Sequence, residues 1–281
     1  MQFQNKNSML CPGCRGLISR SEKKCPHCGL TRPGSWLKTN KLYAAFSDSE
    51  QLIQMILYAN VGMFIVSIMI NPGRSNYNFN PFTFLSPSNQ SLLVLGSTGT
   101  VSIAQLGRWW TLLSANYLHG GLLHIIFNMI ALRQLAPLAA REFGTYRMFS
   151  IYTIGGIFGF FLSYLAGVSY TIGASASVCS LIGAILFYGK SRGGIYGQEI
   201  YRQIGGWAIS IFVFGLIVPG INNWGHGGGM AAGAALALLL GYRERKRETP
   251  GHRLLGLACG LVTVLVLAWS CFNGLLFVLL R

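Results

Sequence analysis

Long apolar stretches constrain the fold of this chain more than any other feature of its sequence. A membrane-spanning helix needs about 20 mostly apolar residues. Seven apolar stretches follow a polar N-terminal segment, at residues 52–70, 122–140, 146–166, 173–188, 204–218, 226–242 and 254–280. Only 10% of the residues are charged, against about 25% in typical soluble domains. The sequence therefore predicts an all-α polytopic membrane protein. Residues 1–14 contain no apolar stretch, so we expect no cleavable signal peptide.

The formal net charge of +15 raises the question of nucleic-acid binding. Nucleic-acid-binding proteins cluster their Lys and Arg residues on one face or arm. Here these residues lie between the apolar stretches, which is typical of the loop charges that orient a membrane protein. We therefore expect the lipid bilayer, and no nucleic acid, as a partner.

The distribution of Lys and Arg also predicts the orientation of the spans. If the N-terminus is cytoplasmic and the spans alternate, the inner side holds nineteen Lys and Arg residues. The outer side holds three, namely Arg74, Arg108 and Arg281. Because cytoplasmic loops are enriched in positive charge, we expect a multi-pass protein of a bacterial inner membrane, with the N-terminus cytoplasmic and the C-terminus outside. The same orientation places all seven acidic residues on the cytoplasmic side.

Three polar clusters fall at the predicted outer ends of spans, at residues 119–128, 173–177 and 223–229. At 1.5 Å per residue, Ser175 lies about 22 Å from Lys190, and His226 lies about 25 Å from Arg243. If both cations mark the inner interface, the hydroxyl and the imidazole lie at one depth, below the outer edge of a hydrocarbon core about 30 Å thick.

Small residues accompany both side chains at helical spacing. They are Ser175, Cys179 and Gly183 in one span, and His226, Gly229 and Gly233 in the other. This spacing permits close helix contact, and on its own it favours ordinary helix packing over a functional role. A histidine at membrane depth favours a functional interpretation, because ionisable groups inside a membrane are costly.

The motifs HGGLLHIIFNM, GASAS and GINNWGHGGGMAAG resemble those of the rhomboid proteases, in the same order and on the expected spans. The resemblance covers about residues 50–280 and implies the six-helix rhomboid bundle, here with one further C-terminal transmembrane helix. It implies that Ser175 is the nucleophile and His226 the general base. It also implies that His124, Asn128 and the backbone N–H of Ser175 bind the oxyanion, without a cofactor for catalysis. His119 matches a further histidine of the family.

The substrates that this resemblance implies are transmembrane segments of membrane proteins, cleaved near the outer face beside small residues. The chain departs from the family pattern at a few positions. These are Ala176 in place of Gly, Gly225 in place of Ala, Cys179 in place of an aromatic residue, and Arg108 before rather than after a tryptophan. These departures bear on substrate preference and rate more than on mechanism.

The chemistry of the residues agrees with the resemblance. A serine nucleophile needs a base within hydrogen-bond reach, and His124 and Asn128, four residues apart, can point at one oxygen. With no acidic residue on the predicted outer side, a Ser-His-Asp triad within one chain is excluded and a Ser–His dyad remains. Ser177, the rival nucleophile, points about 200° away from Ser175 on a helix with 3.6 residues per turn, so we expect its hydroxyl to form a local hydrogen bond instead.

Other membrane activities fit the sequence less well. A zinc-type intramembrane protease needs HExxH, which is absent, and an aspartyl type needs two Asp residues in spans, whereas the single Asp is Asp48. The predicted spans hold no acidic residue that would couple a transporter to ions. A catalytically silent rhomboid-like adaptor that binds membrane proteins is the alternative function, and the presence of both Ser175 and His226 argues against it.

The N-terminal segment carries a separate motif, CxxC-x10-CxxC, formed by Cys11, Cys14, Cys25 and Cys28. Four thiolates at this spacing suit structural Zn²⁺. Two disulfides are the alternative, but disulfides are rare in the reducing cytosol where we expect this segment. We predict a zinc ribbon at residues 1–35, a linker at 36–50 and a rhomboid-like membrane domain with seven transmembrane helices at 51–281.

Overall fold

The computed structural model describes residues 7–12, 14, 16–35, 48–71, 84–218 and 220–280. The chain divides into two compact units, residues 1–54 and 55–281, and the boundary falls inside the first long helix. Most of the predicted linker, residues 36–47, lies outside the described residues.

The N-terminal unit contains a small antiparallel hairpin. Strand β1 (Ser8–Leu10) pairs with β2 (Leu17–Ser19). Met9 lies opposite Ile18 in this register, and Ile18 packs in a small core with Cys11, Cys25 and Leu30. Two of the four cysteines of the motif are therefore buried parts of this core.

Nine α-helices lie in the described part of the chain. They are α1 (Ser49–Met69), α2 (Asn89–Val94), α3 (Thr111–Ser114), α4 (Leu122–Phe143), α5 (Thr145–Leu165), α6 (Ser175–Arg192), α7 (Gly194–Ile217), α8 (Asn223–Leu240) and α9 (Pro250–Leu279). Each of the seven long helices overlaps one of the seven predicted apolar stretches. Five of them, α1, α4, α5, α7 and α9, are long and apolar enough to cross a membrane.

Helix α7 begins ten residues earlier than predicted. Its first part is polar and carries an ion pair between Glu199 and Arg202, one helical turn apart. Hydropathy reports the apolar part of a helix and not its polar extension, so the prediction began only at residue 204.

Helices α5, α6 and α8 pack against one another in the interior of the bundle. Glycines set the contact between α6 and α8. A side chain at Gly183 would clash with the Met230 carbonyl oxygen, and one at Gly233 would clash with that of Ser180. The predicted close approach of these two helices is therefore confirmed at the level of backbone contact.

Helix α9 packs against α5 and against the segment that contains α2 and α3. The Ser270 hydroxyl in α9 donates a hydrogen bond to the Leu95 carbonyl oxygen, and Gly274 lies against Ile70 and Leu95. Thr98 and Thr171 exchange backbone hydrogen bonds of 3.0 and 2.8 Å. These bonds connect the segment that contains α2 and α3 to the residues just before α6.

The four acidic residues between 84 and 280 have their partners at the end of the bundle that holds the C-terminus of α6. One of them is Glu199, which pairs with Arg202. Glu244 pairs with Arg192, Glu142 pairs with Arg141, and Glu248 accepts the backbone N–H of Arg147 at 3.1 Å.

The expected distance from His226 to Arg243 was wrong. Helix α8 ends at Leu240, where Gly241 adopts φ 70°, so helical rise cannot be extended to Arg243.

Candidate active site

Ser175 opens helix α6 and is held by the glycine that precedes it by two residues. Gly173 has φ +123°, which favours glycine, and its N–H donates to the Ala115 carbonyl oxygen at 2.8 Å. A side chain at Gly173 would lie 2.7 Å from Nε2 of His124. The backbone before Ser175 therefore passes directly beside the His124 ring.

His226 lies in the first turn of α8 and faces Ser175. The distance between His226 Nε2 and Ser175 Oγ is 2.9 Å, a hydrogen bond between residues 51 apart in sequence. His226 is buried, whereas Ser175 is half-buried. His226 Nδ1 has no hydrogen-bond partner among the described residues. The two predicted side chains thus meet as a pair.

His124 lies beside this pair with one ring nitrogen already engaged. Its Nδ1 accepts the N–H of Gly120 at 3.3 Å. A neutral imidazole that accepts at one nitrogen carries its proton on the other, so Nε2 is the donor, and Nε2 is the atom that lies next to Gly173. The buried His119 ring packs edge-to-face on His124, with centroids 5.1 Å apart.

Asn128 lies one turn along the same helix. Its Nδ2 donates to the His124 carbonyl oxygen at 2.8 Å, and Asn128 is buried. An amide nitrogen carries two hydrogens, so one donor of Asn128 remains after this bond. The structure thus places His124 and Asn128 on one helix face, and places His124 next to the segment of Ser175.

Ser177 is directed away from His226. Its hydroxyl donates to Asn116 Oδ1 at 2.8 Å, and a side chain at Gly156 would clash with both groups. Ser177 therefore points away from His226, as predicted. The expected local hydrogen bond was wrong, because Asn116 lies 61 residues away in sequence. Cys179 is buried and lies against Gly229 at the contact between α6 and α8.

Asn222 is a polar residue of the site that the sequence reasoning missed. It precedes α8, its Oδ1 accepts the N–H of Gly225 at 3.0 Å, and its Nδ2 donates to Ser163 and Thr171. An Asn just before a helix is a recognisable N-cap, and that signal was present in the sequence. The two donated bonds join residues 59 and 51 apart in sequence, and local reasoning could not find them.

The four cysteines of the N-terminal unit come together as a possible metal site. Their Sγ atoms all lie within 4.8 Å of one another, with Cys11 3.7 Å from Cys28 and Cys14 3.7 Å from Cys25. A tetrahedral zinc with Zn–S distances of about 2.3 Å has S–S edges of about 3.8 Å. All four cysteines are free, so the fit favours a metal over the disulfide alternative. His27, which lies between Cys25 and Cys28 in sequence, is not part of this cluster and packs on Gly16.

The fold and the comparisons with known proteins together define a multi-pass helical membrane protein. Residues 106–243 match the Rhomboid domain. The chain is 31% identical over 228 residues to RHOMBOID-like protein 5 of Arabidopsis thaliana, which covers 72% of this chain and 73% of that protein. It is also 31% identical over 223 residues to RHOMBOID-like protein 4 of the same plant, covering 72% and 57%. The chain belongs to the rhomboid family.

A bacterial relative is also similar to this chain. Rhomboid protease GluP of Bacillus subtilis (strain 168) is 32% identical over 179 residues, which cover 62% of this chain and 35% of that protein. The chain thus spans only part of some of its relatives. Other relatives are named as mitochondrial and chloroplastic plant proteins, so these comparisons do not support the expectation of a bacterial inner membrane.

Proposed function

We propose that this protein is an intramembrane serine endopeptidase that cleaves transmembrane segments of membrane proteins near the outer face of the bilayer. The observation that carries the proposal is the 2.9 Å hydrogen bond between His226 Nε2 and Ser175 Oγ. Membership of the rhomboid family and the similarity to Rhomboid protease GluP support the same activity.

The geometry suits nucleophilic attack by Ser175 on a peptide carbonyl. His226 Nε2 takes the hydroxyl proton as Oγ bonds to the carbonyl carbon. The imidazolium then gives this proton to the leaving amine, and the C–N bond breaks to leave an acyl-enzyme. In the second half, His226 takes a proton from water as the water oxygen bonds to the ester carbon. The bond between this carbon and Ser175 Oγ then breaks, the imidazolium returns the proton to Oγ, and the carboxylic acid product leaves.

The negative oxygen of each tetrahedral intermediate needs donors aimed at it. We assign this role to the backbone N–H of Ser175, to Nε2 of His124 and to the remaining amide hydrogen of Asn128. The His124 nitrogen is suited to it because Gly120 holds Nδ1 as the acceptor. No cofactor takes part in these steps.

The pair acts as a dyad in this proposal. His226 Nδ1 has no partner among the described residues, and the four acidic residues between 84 and 280 are engaged at the opposite end of α6. The role of the acid in a triad, which orients and stabilises the imidazolium, therefore falls to the packing around α8.

The proposed topology has seven transmembrane helices, with the N-terminus cytoplasmic and the C-terminus outside. The count of nineteen positive residues inside against three outside supports it. Of the three, Arg74 and Arg281 lie outside the described residues. Helices α6 and α8 have 18 residues each, and they are the two of the seven that length and composition alone do not mark as spans.

The N-terminal unit is a zinc ribbon in this proposal, with Cys11, Cys14, Cys25 and Cys28 as ligands. Zinc would stabilise this small unit, because its core holds few side chains. We assign no catalytic part to the metal. Residues 1–35 form the ribbon, 36–50 the linker and 51–281 the membrane protease domain.

A fluorophosphonate probe, which reacts with activated serines, tests the proposed function. Purified full-length protein should become covalently labelled, and Ser175→Ala should abolish the labelling while its melting temperature stays near that of the wild type. A folded wild-type protein that is not labelled and does not cleave a single-span substrate would instead indicate the silent adaptor.

A further inference from the structure

The side chain of Asn222 connects the two segments that carry Ser175 and His226. Its Oδ1 accepts the N–H of Gly225 at 3.0 Å and thereby caps α8. Its Nδ2 donates to Ser163 Oγ at 2.8 Å and to Thr171 Oγ1 at 2.9 Å. An amide side chain offers two N–H donors, and the structure shows both of them in use.

Both hydroxyl partners are themselves fixed. Ser163 is buried in α5, where its own hydroxyl donates to the Gly159 carbonyl oxygen at 3.0 Å. Thr171 is buried, and its backbone exchanges two hydrogen bonds with Thr98. Asn222 is therefore tied to two rigid points that lie outside its own helix.

The hydrogen bonds of Asn222 are close in sequence to both reacting residues, to His226 through α8 and to Ser175 through Thr171. The N–H of His226 donates to the Asn222 carbonyl oxygen at 3.1 Å, so the imidazole stands one helical turn beyond the cap. Thr171 lies four residues before Ser175, and Gly173 between them is anchored to Ala115. A shift of Asn222 relative to Thr171 would therefore move His226 relative to Ser175.

The residue type is informative. Ser, Thr, Asp and Asn are the side chains that cap helix N-termini well. Among these four, only Asn also supplies two N–H donors. Capping alone would accept any of the four residues, whereas this geometry uses the donors as well.

We propose that Asn222 is a positioning residue that holds His226 Nε2 within hydrogen-bond distance of Ser175 Oγ. The inference rests on the proposed function, because it assigns a task within the same reaction. Asn222 acts through α8 and through Thr171, without contact to the reacting atoms. The missing acid partner of His226 increases the importance of this tie, since no carboxylate among the described residues holds the imidazole.

The test compares Asn222→Ser with the wild type in full-length protein in detergent. Serine keeps a capping oxygen and removes both amide donors. A misplacement of about 1 Å can cost about 100-fold in rate. We therefore expect the fluorophosphonate labelling rate and kcat to fall by about 10- to 100-fold. KM should stay close to that of the wild type, and the melting temperature should fall by only the few degrees that the loss of two hydrogen bonds implies. The matched control is Asn273→Ser, whose Nδ2 donates only within its own helix to the Trp269 carbonyl oxygen.

A second variant, Thr171→Val, separates positioning from capping. It removes one of the two acceptors of Asn222, the one on the Ser175 side, and leaves the α8 cap intact. It should therefore lower the labelling rate on its own. Added to Asn222→Ser, it should cause little further loss, because residues that share one interaction are not additive. If Asn222→Ser does not fold, Thr171→Val carries the test.

The inference would be overturned, and the proposed function left intact, if Asn222→Ser were labelled at the wild-type rate. If Asn222→Ser does not fold, labelling of Thr171→Val at the wild-type rate would have the same consequence. Full additivity of the two substitutions would also overturn it. A folded wild-type protein without any labelling would overturn the proposed function, and the assignment of Asn222 with it.

Discussion

Ser175 and Ser177 lie two residues apart at the start of one helix, yet they have different partners. Ser175 Oγ meets His226, whereas Ser177 Oγ donates to Asn116. A helix turns about 100° per residue, so the side chains of residues two positions apart point in directions that differ by about 200°. The sequence predicted that the two side chains diverge, because this depends only on helix geometry, whereas the partner of Ser177 was found only in the fold.

The first prediction follows from these partners. Ser175→Ala should abolish cleavage of a single-span substrate, because in the described part of the chain no other hydroxyl forms a hydrogen bond with His226. Ser177→Ala should keep most of the activity and lose about 1 kcal/mol of stability, the value of one hydrogen bond. Cleavage assays with both variants, each checked for folding by thermal melting, make the comparison. Activity retained in Ser175→Ala and lost in Ser177→Ala would reverse the assignment.

The second prediction concerns His124 and Asn128. Loss of one oxyanion donor costs about 10²–10³ in kcat, so His124→Ala and Asn128→Ala should lower kcat strongly and change KM little. Steady-state kinetics of the purified variants give both constants. An increase in KM at constant kcat would assign these side chains to substrate binding instead.

At the residue scale, motifs identified the residues that meet, whereas the supporting contacts came only from the fold. The sequence suggested Ser175, His226 and His124 because they recur in a recognisable pattern. Asn116 lies in none of the three motifs, and Asn222 lies in the third motif without a role that the motif assigned to it. Their hydrogen bonds join residues more than 50 positions apart, and only the packing of the helices brings these groups together.

Glycines control how closely the helices approach in the centre of the bundle. Gly233 in α8 lies directly against the Ser180 carbonyl oxygen of α6, whereas a side chain at Gly227 of the same helix would meet open space. The small-residue spacing in the sequence predicted the contact, and the atoms that it buries became known only from the structure.

The third prediction uses this difference. Gly233→Ala should separate α6 from α8, lower the melting temperature by several degrees and reduce the labelling of Ser175. Overpacking of a tight contact costs about 1–3 kcal/mol. Gly227→Ala is the matched control and should leave the melting temperature unchanged or higher, because alanine is the better helix former. Equal melting temperatures for the two variants would show that the helix contact tolerates a methyl group.

Helix boundaries mark where hydropathy stops being informative. The start of α7 is polar and contains an ion pair, so the prediction missed its first ten residues. The end of α8 is set by Gly241 in a left-handed conformation, although the predicted stretch continued to residue 242. Both errors come from local polar and backbone terms that an average over apolar residues does not contain.

On the scale of the whole molecule, the two units are predicted to work independently. The sequence identified each from a different signal, the cysteine spacing for the first and apolar length for the second. The division at residues 54 and 55 falls inside α1, where composition gives no sign of a boundary.

The fourth prediction is that the purified protein contains one zinc per chain, which Cys11→Ser combined with Cys25→Ser removes. Cleavage in detergent should largely survive, because the proposed reaction uses no metal. Elemental analysis and a cleavage assay on the same preparation give both quantities, and Cys271→Ser is the control, since Cys271 lies outside the cluster. Loss of activity together with the zinc, in a membrane unit that still melts normally, would show that the units are coupled.

The fifth prediction concerns the orientation of the whole chain. Seven spans put the two termini on opposite sides of the membrane, and the excess of Lys and Arg requires the N-terminus to be cytoplasmic. In a bacterial host, alkaline phosphatase fused after Arg281 should therefore be active, and green fluorescent protein at the same point should be dark. Fusions after Arg247, in the loop before α9, should give the opposite result because they remove one span. Identical results at both points would mean that α9 does not cross the membrane. A reversed pattern at both points would place the basic loops outside, which contradicts the charge rule. The acidic residues, which the dyad proposal keeps away from His226, would then lie outside as well.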